Sequence, residues 1–188
     1  MRKSLRAVFA LLTAGLALAA CNSSGIWVTD LARPDSHGLY AWAASKGDLR
    51  VVVLGNPFDV AKAELESAVV DALDSVPPGG PLGTNSTTPR PGSRTAIRFV
   101  FAFDPPRNMS AYALCREDIG FQPAPSPDTL RTLISFCDGG TLQASSAGQL
   151  RRPAGPRDDS FLSLIGNGVW SMVQHPDPTI DADCANFC

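Results

Sequence analysis

An apolar, β-branched run followed directly by an amphipathic helical pattern is the feature that most constrains this chain. Residues 48–55 read DLRVVVLG, and such a compact run predicts a buried β-strand. Asn56, Pro57 and Asp59 then suit a helix N-terminus, through side-chain capping and proline's preset φ. An apolar stripe with helical spacing follows, at Ala61, Leu65, Ala68, Val69, Ala72, Leu73 and Val76. Further strands are needed to cover the apolar surfaces of this pair.

Residues 95–103, TAIRFVFAF, supply one such strand. Ile97, Phe99, Phe101 and Phe103 alternate with Ala96, Arg98, Val100 and Ala102, so two faces are clearly separated. A short return strand is expected over 111–115, AYALC. Between the first helix and this strand, residues 77–94 contain five prolines and four glycines and predict a long loop.

A hairpin is predicted in the second half of the chain. Residues 129–137 alternate as in a strand, although Ser126 and Pro127 could also begin a helix there. The DGG at 138–140 favours a hairpin turn, after which 141–148 can pair back. A second helix should start at the acidic pair Asp158–Asp159, because an apolar stripe follows at Phe161, Leu164, Ile165, Val169, Met172 and Val173.

These elements predict an α+β fold. We expect a two-layer sandwich in which a mostly antiparallel sheet carries two helices on one face. A single domain should span 48–174, and 175–188 should form a C-terminal tail.

The N-terminus has the pattern of a secretory signal peptide. Arg2, Lys3 and Arg6 precede an uncharged run over 7–20. That run has 14 residues, fewer than the roughly 20 that a membrane-spanning helix needs.

The end of this run, Leu18-Ala19-Ala20-Cys21, resembles the lipobox of bacterial lipoproteins. The resemblance covers residues 1–21 only. It implies removal of the signal peptide 1–20, lipid attachment at Cys21, and anchoring in a membrane through more than one acyl chain. Asn22 stands where an aspartate would resemble an inner-membrane retention signal. The outer membrane, on its periplasmic side, is therefore favoured, with 21–47 as a tether and N-terminal segment.

Lipidation of one cysteine leaves four: Cys115, Cys137, Cys184 and Cys188. An even number in an exported chain predicts two disulfides with three possible connectivities. We favour Cys115–Cys137 and Cys184–Cys188, because each pair would be close if the neighbouring strands pair as predicted. A metal site is disfavoured, since His175 is the nearest imidazole to the last two cysteines and no CxxC occurs.

Charge argues against a nucleic-acid partner. Cleavage before Cys21 leaves 13 cations against 18 acidic residues, a net charge of −5, and the mature chain has no basic patch. Neither a nucleophile elbow nor a phosphate-binding loop is present. Asp177, Asp181 and Asp183 could offer oxygen ligands to calcium, but the residues 175–184 lack the glycine and glutamate of an EF-hand. No cofactor and no metal is predicted.

These patterns favour a non-catalytic, lipid-anchored envelope protein whose disulfide-stapled domain binds another envelope protein or a ligand, or supports an assembly. The Pro/Gly loop over 77–94 would be its contact surface. One alternative is an envelope hydrolase that uses His37 with Asp35 or Glu117. Another is a small-ligand or metal-binding module that uses the acidic tail.

Overall fold

The computed structural model describes residues 28–45, 47–74 and 84–173, and these form one six-stranded sheet with four helices. The strand order across the sheet is β1-β6-β5-β4-β2-β3. Cys21, Cys184, Cys188 and the tail over 175–188 lie outside the described residues. The strands are β1 (Val28–Ala32), β2 (Leu49–Leu54), β3 (Asn85–Ser86), β4 (Ile97–Phe103), β5 (Thr129–Asp138) and β6 (Thr141–Arg151); the helices are α1 (Ser36–Ala44), α2 (Lys62–Asp74), α3 (Ala111–Leu114) and α4 (Asp159–Val173).

The predicted α+β class is confirmed, and the sheet is mixed. β1, β6, β5 and β4 pair antiparallel, and the β5–β6 hairpin turns at Gly139, which has a φ of 54°. By contrast, β2 pairs parallel with both β4 and β3. The antiparallel expectation therefore holds for one side of the sheet only. The reason is that α2 returns the chain across the sheet, as a parallel connection requires.

Three helices cover one face of the sheet. The apolar stripe of α4 is buried at all six predicted positions, and α2 buries Leu65, Ala68, Val69, Ala72 and Leu73. α1 joins them, because Tyr40 contacts the rings of Phe99 and Phe136. Both predicted helices are thus present, and the prediction of two helices on that face omitted α1.

The opposite face is covered as well, by residues 105–121, which we call the cover segment. Its Ala111, Leu114 and Cys115 are buried against Val100 and Ala102 of β4. As a result every residue of β4 is buried on both faces. The alternating pattern of 97–103 therefore reflects two buried faces, one against the helices and one against the cover segment. Neither side of this strand faces solvent.

The predicted return strand at 111–115 is wrong: residues 111–114 form the short helix α3. Ser110 is its N-cap, and the Ser110 side chain accepts a hydrogen bond from the Ala113 N–H. Four residues are too few for periodicity to separate helix from strand, and the cap decides between them.

The predicted N-cap of the first helix is also displaced. α2 begins at Lys62, and Ala61 is exposed outside it. Asn56 instead closes a tight turn, because its Oδ1 accepts from the Phe58 N–H and its Nδ2 donates to the Val60 carbonyl, 2.6 Å away. Gly55 begins this turn with a φ of 81°, and a Cβ there would lie 2.5 Å from the Phe103 carbonyl oxygen. Close approach to β4 thus explains the glycine.

The folded domain begins before residue 48. β1 pairs with β6 from Val28 onward, and α1 packs on the core. Residues 28–45, which the sequence assigned to the tether and N-terminal segment, are therefore part of the sheet and its helical layer. None of the helices within the described ranges is long and apolar enough to cross a membrane.

Candidate functional site

The structure joins Cys115 and Cys137 in a disulfide, which confirms that pairing. Cys137 belongs to β5 and Cys115 follows α3, so the bond attaches the cover segment to the sheet. Ser135, two residues before Cys137 on the same face, donates a hydrogen bond to the Ala111 carbonyl over 3.0 Å. The proposed lipidation site Cys21 and the second candidate pair, Cys184 and Cys188, lie outside the described residues.

His37 serves the packing of α1 against α4. Its Nδ1 lies 2.7 Å from the carbonyl oxygen of Val173, the last residue of α4. A nitrogen that donates to a carbonyl must carry the ring proton, so Nδ1 is protonated in this contact. Glu117 lies in the cover segment, on the other face of the sheet. The structure therefore does not bring His37 and Glu117 into one site. Asp35, the N-cap residue of α1, makes no side-chain capping hydrogen bond.

The predicted calcium ligands of the tail, Asp177, Asp181 and Asp183, and the nearby His175 lie outside the described residues. Within the ranges that are described, no group of three histidine, cysteine, aspartate or glutamate side chains is placed to hold a metal ion.

A buried ion pair connects the ends of four strands. Arg152 Nη2 lies 2.8 Å from Asp104 Oδ2, and Arg152 also donates to the carbonyls of Ser126, Thr129 and Pro57. Asp104 accepts a further hydrogen bond from the Arg131 N–H. These hydrogen bonds link both side chains to neighbouring strand ends, so the pair is a structural clasp.

A second clasp ties the Pro/Gly loop to β2. The side chain and the backbone N–H of Arg90 both donate to Asp48, as does the hydroxyl of Thr84. These hydrogen bonds, with that from the Arg90 side chain foremost, hold the pKa of the Asp48 carboxyl well below its usual range. Residues 84–94, the described part of the predicted contact loop, are thus attached to the sheet.

Arg50 and Arg98 form the cluster that sequence analysis missed. They are register partners on the parallel strands β2 and β4, and both lie on the face that the cover segment occupies. Adjacent strands are about 4.8 Å apart, so the two side chains begin side by side. Arg98 is buried, with 3% exposure, and Arg50 is half-buried at the margin of the cover segment.

Neither guanidinium group has a carboxylate partner within the part of the chain that the structure describes. Arg98 donates from Nη2 to the Cys115 carbonyl over 2.6 Å and from Nη1 to the Ala96 carbonyl over 3.1 Å. Neither it nor Arg50 has an ion pair within 4.0 Å among the described residues. Burial lowers the pKa of the Arg98 side chain, the Arg50 charge lowers it further, and Glu117 opposes the shift.

Two uncompensated guanidinium groups side by side are suited to bind an anion. Guanidinium is permanently charged and presents planar pairs of N–H donors that match the oxygens of carboxylate or phosphate. The signal available in the sequence was Arg98 itself, a charge within an otherwise apolar strand. Its neighbour Arg50 could not be recognised, because their proximity depends on the parallel pairing of β2 with β4.

Comparison of the chain with family models, with characterised proteins and with solved structures finds no match. Its function is therefore argued from its own residues.

Proposed function

We propose that this chain is a lipid-anchored cell-envelope protein whose disulfide-stapled α+β domain binds another envelope component and does not catalyse a reaction. The observation that carries the proposal is the lipobox-like Leu18-Ala19-Ala20-Cys21 behind a cationic head and a short apolar run. This pattern supports a location on the periplasmic side of the outer membrane or on the cell surface.

The Cys115–Cys137 disulfide supports an exported location. Structural disulfides form and persist in oxidising compartments and are uncommon in the cytosol of most organisms. This bond closes a loop between residues 22 positions apart and attaches the cover segment to the sheet. Disulfide formation is therefore consistent with the secretion that the N-terminal pattern predicts.

The small number of residues between Cys21 and β1 supports a position of the domain close to the membrane. Seven residue steps separate Cys21 from Val28, and even a fully extended chain of that length spans at most about 25 Å. Val28 of β1 pairs with Ala147 of β6, and Ala147 pairs with Leu133 of β5. Leu133 in turn pairs with Ala102, so the start of β1 is level with the carboxyl end of β4. In an anchored molecule the carboxyl ends of β2 and β4 would be nearest to the lipid.

A binding role is supported by how the polar side chains of the domain are used. Asp104 with Arg152 and Asp48 with Arg90 hold the fold, and His37 contacts a helix end. The cluster that stays uncompensated, Arg50 with Arg98, supplies charge but neither a nucleophile nor a titrating base at neutral pH.

Metabolic labelling with a radioactive fatty acid tests the anchor. The wild-type chain should incorporate label and fractionate with membranes, whereas Cys21→Ser should lose both properties. Cys115→Ser is the matched control, because it removes a different cysteine and should leave labelling unchanged. Equal labelling of wild type and Cys21→Ser would refute the lipid anchor.

A further inference from the structure

We propose that Arg50 and Arg98 form a binding site for a small oxyanion, such as phosphate, sulfate or a carboxylate group. The inference deepens the proposed binding role by naming the chemistry of the ligand, and it rests on that role only for its biological setting. The site lies at the amino ends of β2 and β4, where the cover segment meets the sheet.

The positive charge of the arginine pair is not balanced by an ion pair among the described residues. A cation removed from water is costly unless an opposite charge lies close to it, and like charges on facing strand positions repel each other. Arg98 is buried and Arg50 stands directly beside it, yet no carboxylate among the described residues approaches either one within 4.0 Å. An oxyanion between the two guanidinium groups would offset both costs.

The Arg98 guanidinium is held in place and still has N–H donors to spare. The carbonyls of Ala96 and Cys115 hold the Arg98 guanidinium in place, and each accepts only one of its five N–H groups. The position of Cys115 is in turn set by its disulfide to Cys137, so the buried half of the site is rigid. The Arg50 side chain makes no hydrogen bond or ion pair among the described residues, so its N–H donors remain for a ligand.

Glu117 of the cover segment influences the arginine pair from an exposed position. Its carboxylate is the acidic group whose charge acts on Arg98, but it is exposed and forms no ion pair with it. Its neighbours Arg116 and Asp118 pair with each other over 3.6 Å. Glu117 therefore competes only weakly with a bound oxyanion for the positive charge of the two arginines.

The site also faces away from the proposed anchor. Arg98 is level with Cys137, four residues along β5 from Leu133, which is level with the start of β1. At about 3.3 Å per residue the two levels are separated by about 13 Å. A ligand at the arginine pair would approach from the end of the domain opposite to the one where the tether enters.

Nuclear magnetic resonance titration of the full-length chain, held in dodecyl maltoside micelles, tests the site. Sodium phosphate, sodium sulfate and sodium acetate are added in separate arms, with sodium chloride keeping the ionic strength constant. We expect saturable shifts at the amides of residues 50, 98 and 115–119 in at least one arm. The arm that binds most tightly distinguishes a tetrahedral dianion from a planar carboxylate.

Three variants make the titration decisive. R50Q should raise the dissociation constant about tenfold, as expected for loss of a charge-assisted contact. It should keep its fold because the Arg50 side chain makes no hydrogen bond or ion pair among the described residues, and circular dichroism checks this. E117Q should lower the dissociation constant by removing the competing carboxylate. R151Q, which removes an exposed arginine at the far end of β6, should leave the dissociation constant unchanged.

Non-saturating shifts in all arms, or equal affinities of wild type and R50Q, would overturn the proposal. A dissociation constant that is higher in E117Q than in wild type would overturn it as well, because removing a nearby carboxylate can only favour an anion at this pair. Since none of these variants changes Cys21, failure of the titration leaves the lipid-anchor test intact. Conversely, failure of lipid labelling leaves the anion site standing.

Discussion

Arg152 Nη2 lies 2.8 Å from Asp104 Oδ2, and this contact joins the residue after β6 to the residue after β4. The Asp104 side chain is 3% exposed and that of Arg152 is 21% exposed, so the pair is largely removed from water. Asp104 also has a φ of 49°, a left-handed conformation that aspartate tolerates better than most residues.

Breaking this buried pair should destabilise the domain strongly. Arg152→Met leaves the Asp104 carboxylate buried without a cation, and we expect the free energy of unfolding to fall by about 3 kcal/mol in urea titrations. Arg157→Met is the control, because it breaks the half-exposed pair with Asp71 and should cost less than about 1 kcal/mol. Equal losses in the two variants would contradict the role of the clasp.

The disulfide should stabilise the native state through its loop. Replacing Cys115 and Cys137 together by alanine frees a loop closed over 22 positions, and the expected loss is about 3 kcal/mol. Reduction of the wild-type chain should produce a similar loss. Hydrogen exchange should then accelerate first in the cover segment, 105–121. Uniform acceleration across β4 and the cover segment would show that the bond does not hold this segment specifically.

Two serines that face each other across β5 and β6 allow a matched comparison of a satisfied and an unsatisfied hydroxyl. Ser135 Oγ donates to the Ala111 carbonyl, whereas Ser145 Oγ has no partner among the described residues, and both serines are fully buried. Ser135→Ala should cost about 1–2 kcal/mol, since it leaves a buried carbonyl without its donor. Ser145→Ala should be neutral or stabilising.

Urea unfolding of these two variants provides the measurement. Because both changes remove one hydroxyl from the same face of the sheet, differences in cavity size are small. A larger loss in Ser145→Ala than in Ser135→Ala would contradict this prediction, because an unpartnered buried hydroxyl should not stabilise the fold.

Acid should weaken the attachment of the loop at 84–94. The Arg90 side chain, the Thr84 hydroxyl and the Arg90 backbone lower the pKa of Asp48 in the folded state. A carboxyl with a lowered folded pKa stabilises the fold above its unfolded value, about 4, and this contribution is lost as the pH falls through the folded value. Wild-type stability should therefore decline below about pH 4.

Asp48→Asn checks this prediction. The variant lacks the titrating group, so its free energy of unfolding should be lower at neutral pH and should depend less steeply on pH below 4. Parallel pH profiles for wild type and Asp48→Asn would show that Asp48 is not linked to acid unfolding.

Most secondary structure was predictable because it follows from periodicity within short windows. The stripe of α4, the alternation of β4 and the β5–β6 turn all depend on residues within a few positions of one another. The prediction failed where a window was too short, as in the four residues of α3. It was also displaced where Asn56 could cap either a helix or a turn.

The candidate site was not predictable for a different reason. Arg50 and Arg98 are separated by 47 residues of intervening strand, helix and loop, and their proximity exists only because β2 and β4 run parallel and in register. Burial of Arg98 depends further on the cover segment, whose path over the sheet is set by Cys115 and by apolar packing. Neither the strand register nor the path of the cover segment can be recognised from a short stretch of sequence.

By itself the sequence determined the α+β class, the hairpin, the two long helices and a disulfide pairing that the structure contains, because local periodicity and turn chemistry specify them. It also contains the lipobox-like segment from which the anchor is proposed. Only the tertiary structure decided that the sheet is mixed, that residues 28–45 belong to it, and that a cover segment buries its second face. These features, like the arginine pair on two parallel strands, depend on contacts between residues far apart in the chain. Hydrophobic burial and long-range hydrogen bonds determine those contacts, and neither can be read from local sequence.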